Sequence, residues 1–372
     1  MNMAIALLFM VFAVSSALDM SIISHDNAHA DRATRRTDEE VMSMFEEWLV
    51  KHDKVYNALG EKEKRFQIFK HNLRIIDERN SLNRTYKLGL NVFADLTNAE
   101  YRAMYLRTLD EGPRLGLDTP PRNHYVPRVG DNIPESVDWR KEGAVTPAKM
   151  QGYTCDSCWA FAAVGAVESL VKIKTGNLYS LSEQELVDCV TSSSRGCGGG
   201  YVIDGYAYIK KNGVSLEKDY PYRGDEGTCD LNKKNAIVAI DDYGWLPTEN
   251  ETILKRSIAS RPVVGIFKGK CGTKVNHAVL LVGYGTENGE DYWIAKNSYS
   301  DKWGDNGYIR IKRKLSTCKF GIEGIHGVLN RERMTMRIER NLVGEKFGKC
   351  GIAHQPSYPI KKKRSVKPPK SV

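Results

Sequence analysis

Gln151-Gly152-Tyr153-Thr154-Cys155-Asp156-Ser157-Cys158-Trp159-Ala160-Phe161 decides how this 372-residue chain is read. Two cysteines three positions apart precede a Trp, and the run from Ala160 to Thr175 is mostly apolar. Lys172 and Lys174 crowd its end and Gly176 follows, as expected of a buried helix with a basic last turn and a glycine stop. Cys158 therefore falls at a helix N-terminus, where unpaired N–H groups and the dipole favour thiolate over thiol. Taken alone, the pair is also compatible with a disulfide, a metal site, a redox dithiol or a small buried apolar residue.

The totals bound what surrounds it. The length suggests two folding units plus tails, and 41% hydrophobic residues allow a sizeable core. Eight cysteines suit an oxidising compartment better than the cytosol. Residues 1–17 read as a cleaved signal peptide, with Ser15 and Ala17 at the small-residue sites. Their apolar run is too short to span a bilayer and no later segment replaces it, so no membrane span is expected. The implied destination is the secretory pathway: vacuole, lysosome or the extracellular space. The net charge of +9 draws six positive charges from the last twelve residues, so 361–372 reads as a solvated basic tail rather than a nucleic-acid surface.

Along the chain, Val41, Met44, Phe45, Trp48 and Leu49 recur at helical spacing. Glu61, Arg65, Phe69, Asn72, Ile76 and Asn80 then form one stripe of a long helix with polar anchors. Gly89-Leu90-Asn91-Val92-Phe93-Ala94-Asp95 follows, and the Pro-, Gly- and Arg-rich run at 112–131 reads as an exposed linker. Ser182 and Glu185 have capping-box spacing, starting a second helix. Beyond about residue 235 the alternation of Val, Ile and Tyr predicts antiparallel sheet. His277 stands near the start of one strand and Asn297 just past the next.

The central motif resembles the C-G-S-C-W signature of the papain-like cysteine proteases. The Glu61–Asn80 stripe and the Gly89–Asp95 segment resemble the E-R-F-N-I-N and G-x-N-x-F-x-D motifs of that family's propeptides, and Ile133–Arg140 resembles a mature N-terminus. The order Cys158, His277, Asn297 is that of the family triad. The resemblance implies an α+β, papain-like two-domain fold, a helical domain beside an antiparallel β-barrel-like one, preceded by a helical prodomain. It assigns 38–95 to the inhibitory prodomain core, 96–130 to the processing linker and 133–360 to the peptidase. It implies a monomeric zymogen that cleaves peptide and protein substrates, is blocked by its own prodomain, and needs no cofactor or metal. Cys158 would be the nucleophile, His277 the proton shuttle, Asn297 its orienter and Gln151 an oxyanion donor. Gly199 and Gly200 would bind an extended substrate backbone; Tyr201, Val202, Ala278 and Gln355 would line the pocket for the second residue before the scissile bond. The pairings Cys155–Cys197, Cys189–Cys229 and Cys271–Cys350 are implied by the resemblance only, leaving Cys318 over. Asn83 and Asn250 head glycosylation tripeptides.

Several departures lie near the chemistry. Gln151 precedes Cys158 by seven positions, one more than the family spacing, so its amide could swing off the oxyanion. Asp156 replaces a family glycine, a source of strain if the backbone there is left-handed. Tyr299 and Ser300 replace Trp-Gly, which predicts weaker shielding of His277. A strand and turn are missing after Val264, which predicts unpaired core edges. Residues 309–313 are echoed 27 positions later, near 309–335, which reads as an exposed insertion or a gene-model error. These departures define the competing reading, a catalytically impaired homologue acting in peptide binding or inhibition. A C-x-x-C oxidoreductase is disfavoured by the absence of a βαβ pattern.

Overall fold

A polar clamp organises the N-terminal part of the chain. In the computed structural model, residues 36–81, 88–105, 133–191, 194, 196–247, 250–268, 275–313, 352 and 354–361 are described. Helix α1 (Asp38–Lys51) begins at a reciprocal capping box between Thr37 and Glu40 and buries Val41, Phe45, Trp48 and Leu49. These pack on Phe66, Phe69 and Leu73 of helix α2 (Glu61–Asn80). The stripe on α2 also grips the chain that follows. Arg65 donates to the Asp95 carbonyl at 3.1 Å, Asn72 to the carbonyls of Ala94 and Leu96 at 2.8 and 3.0 Å. Asn80 exchanges two bonds with the Leu88 backbone. The segment lacks ladder partners of its own, so these side chains satisfy its carbonyls.

The sequence reading assigns 96–130 to a linker, but its first part is helix α3 (Asn98–Tyr105). A Thr97–Glu100 capping box starts it, the Glu100 carboxylate accepting from Thr97 N–H and hydroxyl at 2.9 Å. The stretch 106–132, where processing is expected, lies outside the described residues, as do residues 1–17, read as a leader, and most of the basic tail.

Helix α4 (Cys158–Thr175) runs through the peptidase core, buried along most of its length, and stops at left-handed Gly176. Helices α5 (Glu183–Cys189) and α6 (Val202–Asn212) pack beside it. Disulfides join Cys155 to Cys197 and Cys189 to Cys229. Cys271, Cys318 and Cys350 lie outside the described residues. Ser182 caps α5 by accepting from Glu185 N–H, but the Glu185 carboxylate does not reach back. It accepts instead from Ser215 N–H and the Tyr208 hydroxyl, tying α5 to the loop after α6.

The sheet consists of β1 (Val137–Asp138), β2 (Asp242–Trp245), β3 (Val263–Lys268), β4 (Val275–Glu287), β5 (Glu290–Lys296), β6 (Tyr308–Lys312) and β7 (His354–Ile360). All pairings are antiparallel, in the order β2-β7-β3-β4-β5-β6, with β1 on β4. Along β4 the pleat sorts side chains between two cores. Ala278, Leu280 and Val282 join the core around α4, while Val279 and Leu281 face the other side. A bulge between Leu281 and Gly283 reverses the phase, so Tyr284 also enters the second core.

Two expectations are corrected here. Helix α7 (Glu251–Ser260) interrupts the region read as pure sheet; Asn250 caps it, and Leu254 and Ile258 are its buried stripe. The short connection after Val264 does not leave β3 bare: β4 pairs along one side, and Val264 meets Ser357 of β7 on the other.

A buried charge cluster ties these layers together. Lys149 Nζ lies 2.8 Å from Glu183, 3.3 Å from Glu217 and 3.6 Å from Glu168. Lys296 donates to Thr146 Oγ1, which donates to Glu168 at 2.5 Å. Burial alone would lower Lys149, but Glu183, Glu168 and Glu217 outweigh it and hold its pKa above the ordinary value. Replacing Lys149 by Met should therefore leave the carboxylates buried and underpaired, costing about 3–5 kcal/mol in denaturant unfolding of the Cys158→Ala chain. Unchanged stability would show that the cluster is not a cohesive element.

Candidate active site

Cys158, His277 and Asn297 come from three different elements. Cys158 is the first residue of α4, His277 lies near the start of β4, and Asn297 follows the end of β5. Pairing of Leu280 with Lys296 brings the last two together. His277 Nε2 lies 2.7 Å from Asn297 Oδ1. A carboxamide oxygen only accepts, so Nε2 carries the proton and Nδ1 presents its lone pair. Nδ1 has no hydrogen-bond partner among the described residues. The Ala278 backbone N–H points at the Cys158 sulfur, placing the thiol against the strand residue next to the imidazole.

The loop before Cys158 is held from both sides. Gln151 is buried; its Nε2 donates to the Cys155 carbonyl at 3.1 Å and its Oε1 accepts from Ser298 Oγ at 2.6 Å. One amide hydrogen of Gln151 is thereby used within the loop and the second is left. The Tyr222 hydroxyl donates to the Gln151 carbonyl at 2.7 Å and meets Ser157 Oγ at 2.6 Å. Neither Ser298 nor Tyr222 is singled out by spacing, and only the folded geometry reveals them. Asp156 does not occupy a left-handed conformation, so the strain considered for it is absent. That cost falls at Ser300, with φ of 66°.

Tyr299 shields His277 rather than exposing it, contrary to the expectation from its smaller ring. It is fully buried and stacks on the imidazole, with centroids 5.1 Å apart and planes 21° from parallel. Trp303 packs edge-on against Tyr299. Prodomain residues Phe93 and Tyr101 complete this aromatic cluster, Phe93 at 5.2 Å from Tyr299. The propeptide motif therefore docks one ring away from the catalytic-type histidine.

Burial sets the charge state in this form. It pushes the Cys158 thiol up to about 12, and Asp156 adds to the rise, against N–H groups of Ala278, Trp159 and Cys158 that oppose it. Burial lowers His277 to about 4, partly opposed by Asn297. Desolvation thus favours thiol and neutral imidazole in this form, where the helix N-terminus by itself would favour a thiolate.

The subsite residues separate into two groups. Gly199 adopts φ of 97°, a glycine conformation. At Gly200 a Cβ would lie 2.5 Å from Ser194 Oγ and 2.6 Å from the Trp159 ring, so packing alone requires glycine there. Tyr201 is half-buried at the start of α6, and Val202 is buried in the core around α4. Ala278 is buried beside the Cys158 sulfur, and Gln355 lies in β7. Among the described residues no group of His, Cys, Asp and Glu could hold a metal. No described helix is long and apolar enough to cross a membrane.

Fold and site together define a thiol peptidase carrying its own inhibitory segment. Residues 133–328 match the papain family cysteine proteases and residues 45–101 the cathepsin propeptide inhibitor domain, and the chain belongs to the papain family. It is 47% identical to Cysteine proteinase RD21A of Arabidopsis thaliana over 97% of this chain and 75% of that protein. Germination-specific cysteine protease 1 of the same plant is 44% identical, over 96% of this chain and 94% of its own. Among solved structures, the recombinant stem bromelain precursor superposes with a TM-score of 0.71 at 35% identity, covering 87% of this chain and 99% of its own. The ragweed pollen allergen Amb a 11 in its proform gives 0.72 at 34% identity, covering 88% and 96%.

The charge state gives a test. With the prodomain docked, alkylation of Cys158 should be slow at pH 7 and rise about tenfold per pH unit through pH 10, since the thiolate fraction grows until pH approaches the thiol pKa. A plateau near pH 8 would show that the thiol is not held up by burial.

Proposed function

We propose that the mature domain is an endopeptidase working through Cys158, His277 and Asn297. The observation that carries this reading is the 2.7 Å contact of His277 Nε2 with Asn297 Oδ1, which leaves Nδ1 as a base while the Cys158 sulfur rests on the adjacent Ala278 N–H. Departure of the prodomain rehydrates the pair and lets the thiol proton pass to Nδ1. The thiolate then attacks the scissile carbonyl carbon, and its oxygen takes up negative charge. The second Gln151 amide hydrogen and the Cys158 backbone N–H are the candidate donors to that oxyanion. As the C–N bond breaks, His277 protonates the leaving amine, giving an acyl-enzyme thioester. His277 next removes a proton from water, hydroxide adds to the thioester, and Cys158 leaves with the free acid as product. Asn297 keeps the imidazole in one tautomer throughout without adding charge.

Gly199 and Gly200 suit an extended peptide backbone, with Tyr201, Ala278 and Gln355 around the second-residue pocket. The reading includes a leader at 1–17, processing within 96–130 and maturation as a monomer in an acidic compartment of the secretory route or outside the cell. Asn250 is compatible with a glycan, because its Oδ1 caps α7 and its Nδ2 remains the attachment atom. Asn83 lies outside the described residues.

Acidified zymogen, treated with reductant and an epoxide inhibitor of cysteine proteases, should be labelled in the wild type and not in Cys158→Ala. Gln151→Ala should lower kcat by about 10²–10³-fold with a smaller change in KM. Folded, processed protein that takes no label would overturn the assignment, and an undiminished kcat would remove Gln151 from the oxyanion site.

A further inference from the structure

The prodomain helix α1 ends against the peptidase domain in an unusual way. Its C-cap is His52, only 7% exposed, and neither ring nitrogen has a hydrogen-bond partner among the described residues. The ring packs on Trp48 at 5.3 Å. Asp53 follows in a left-handed conformation, φ 52°, which turns the chain sharply at this point. From the peptidase domain, Lys302 reaches across to the Lys51 carbonyl at 3.4 Å and the Asp53 carboxylate at 3.8 Å, bracketing His52. Lys302 neighbours Trp303, which packs on the Tyr299 ring that covers His277. The same turn also places Lys54 over Tyr153 of the Gln151 loop, at 5.3 Å.

We propose that His52 is the acid sensor of the zymogen: its protonation within a cluster of ammonium groups loosens the α1 turn from Lys302 and releases the prodomain. This rests on the prodomain acting as the chain's own inhibitor. The charged groups around His52 are Lys51 on its own helix, Asp53, Lys54 and Asp95 within the prodomain, and Lys302 on the peptidase. Lys54 is held by Asp95, so that carboxylate is already committed to a cation. Trp48 offers an imidazolium some cation–π attraction, but Lys54 already lies over that ring at 5.5 Å. No described residue offers an acceptor to either nitrogen, so a proton added to the ring meets three like charges in a desolvated site.

Burial, reinforced by Lys51, Lys302 and Lys54, lowers His52 from 6.5 to about 4 in the docked form. Above pH 6.5 the ring is neutral whether docked or released, and docking is unaffected. Release removes Lys302 and hydrates the ring, so as pH falls from 6.5 toward 4 the released form takes up the proton more readily and docking weakens. At pH 5 this linkage favours release by up to about 30-fold relative to neutral solution.

His52→Phe keeps the ring on Trp48, forfeits no hydrogen bond and cannot be protonated. In the full-length chain it should slow self-processing about tenfold at pH 5 and leave it unchanged above pH 7. Superimposable pH profiles would overturn the proposal. A second measurement is independent of proteolytic activity and of that variant's folding: titration of the His52 ring by NMR in the full-length Cys158→Ala chain. A midpoint below pH 5, rising when Lys302→Gln is added, supports the sensor; a midpoint near 6.5 overturns it. Failure of Cys158 to label with the epoxide, alongside a depressed His52 midpoint, would sink the protease reading and leave the sensor standing.

Discussion

The site rests on a buried charge cluster. Lys149 lies two residues before Gln151, Lys296 immediately before Asn297, and Glu168 on the helix that begins at Cys158. Glu183 starts α5 and closes the group. Gln151, Asn297 and Cys158 are thus one or two residues, or about three helical turns, from the same buried ions. Such clusters are costly to desolvate and contribute little net stability, but breaking one strands a charge and is penalised heavily. The arrangement therefore constrains geometry more than it stabilises the fold. A small cavity lined by Lys149, Glu183, Ala278, Lys296 and Ser298 adjoins it, so polar atoms of the cluster and of the site share one boundary.

Around that frame, burial disfavours the ionic form of the Cys158 thiol. The helix N-terminus and three backbone N–H groups favour a thiolate, yet burial and Asp156 outweigh them. The neighbouring imidazole is held neutral by the same exclusion of water. Tyr299 connects this state to the prodomain: one face covers His277 while Phe93 and Tyr101 meet it edge-on. The prodomain therefore touches the site through the ring that covers its histidine, in a single aromatic cluster.

Periodic and chemical patterns in the sequence were enough for much of this. The helix from Cys158, the stripe on α2 and the strands bearing His277 and Asn297 each follow from local spacing. What escaped was decided by contacts distant in sequence. Helix α7 hides in an apolar region because its signal is an Asn cap and two buried turns. Helix α3 hides behind linker-like flanks, although Thr97-x-x-Glu100 carries a capping box. Tyr222 and Ser298 position Gln151 through single hydroxyl contacts that leave no periodicity. Gly200 has a packing constraint that spacing does not show, since Ser194 Oγ and the Trp159 ring leave no room for a side chain there. The bare edge inferred after Val264 failed for a topological reason, since the strand that covers it comes from near residue 357.

That last strand has a consequence for the order in which the protein is made. β7 lies between β2 and β3, so the sheet's interior is finished by residues synthesised about a hundred positions after its neighbours. Until it emerges, β3 and β2 present unpaired edges on the nascent chain, a condition that invites mispairing. The helical prodomain, by contrast, is built from contacts within its own first segment and has left the ribosome long before. A folded partner surface for the Tyr299–Trp303 loop is therefore waiting when the peptidase closes, and the inhibitor is in position before there is an enzyme to restrain.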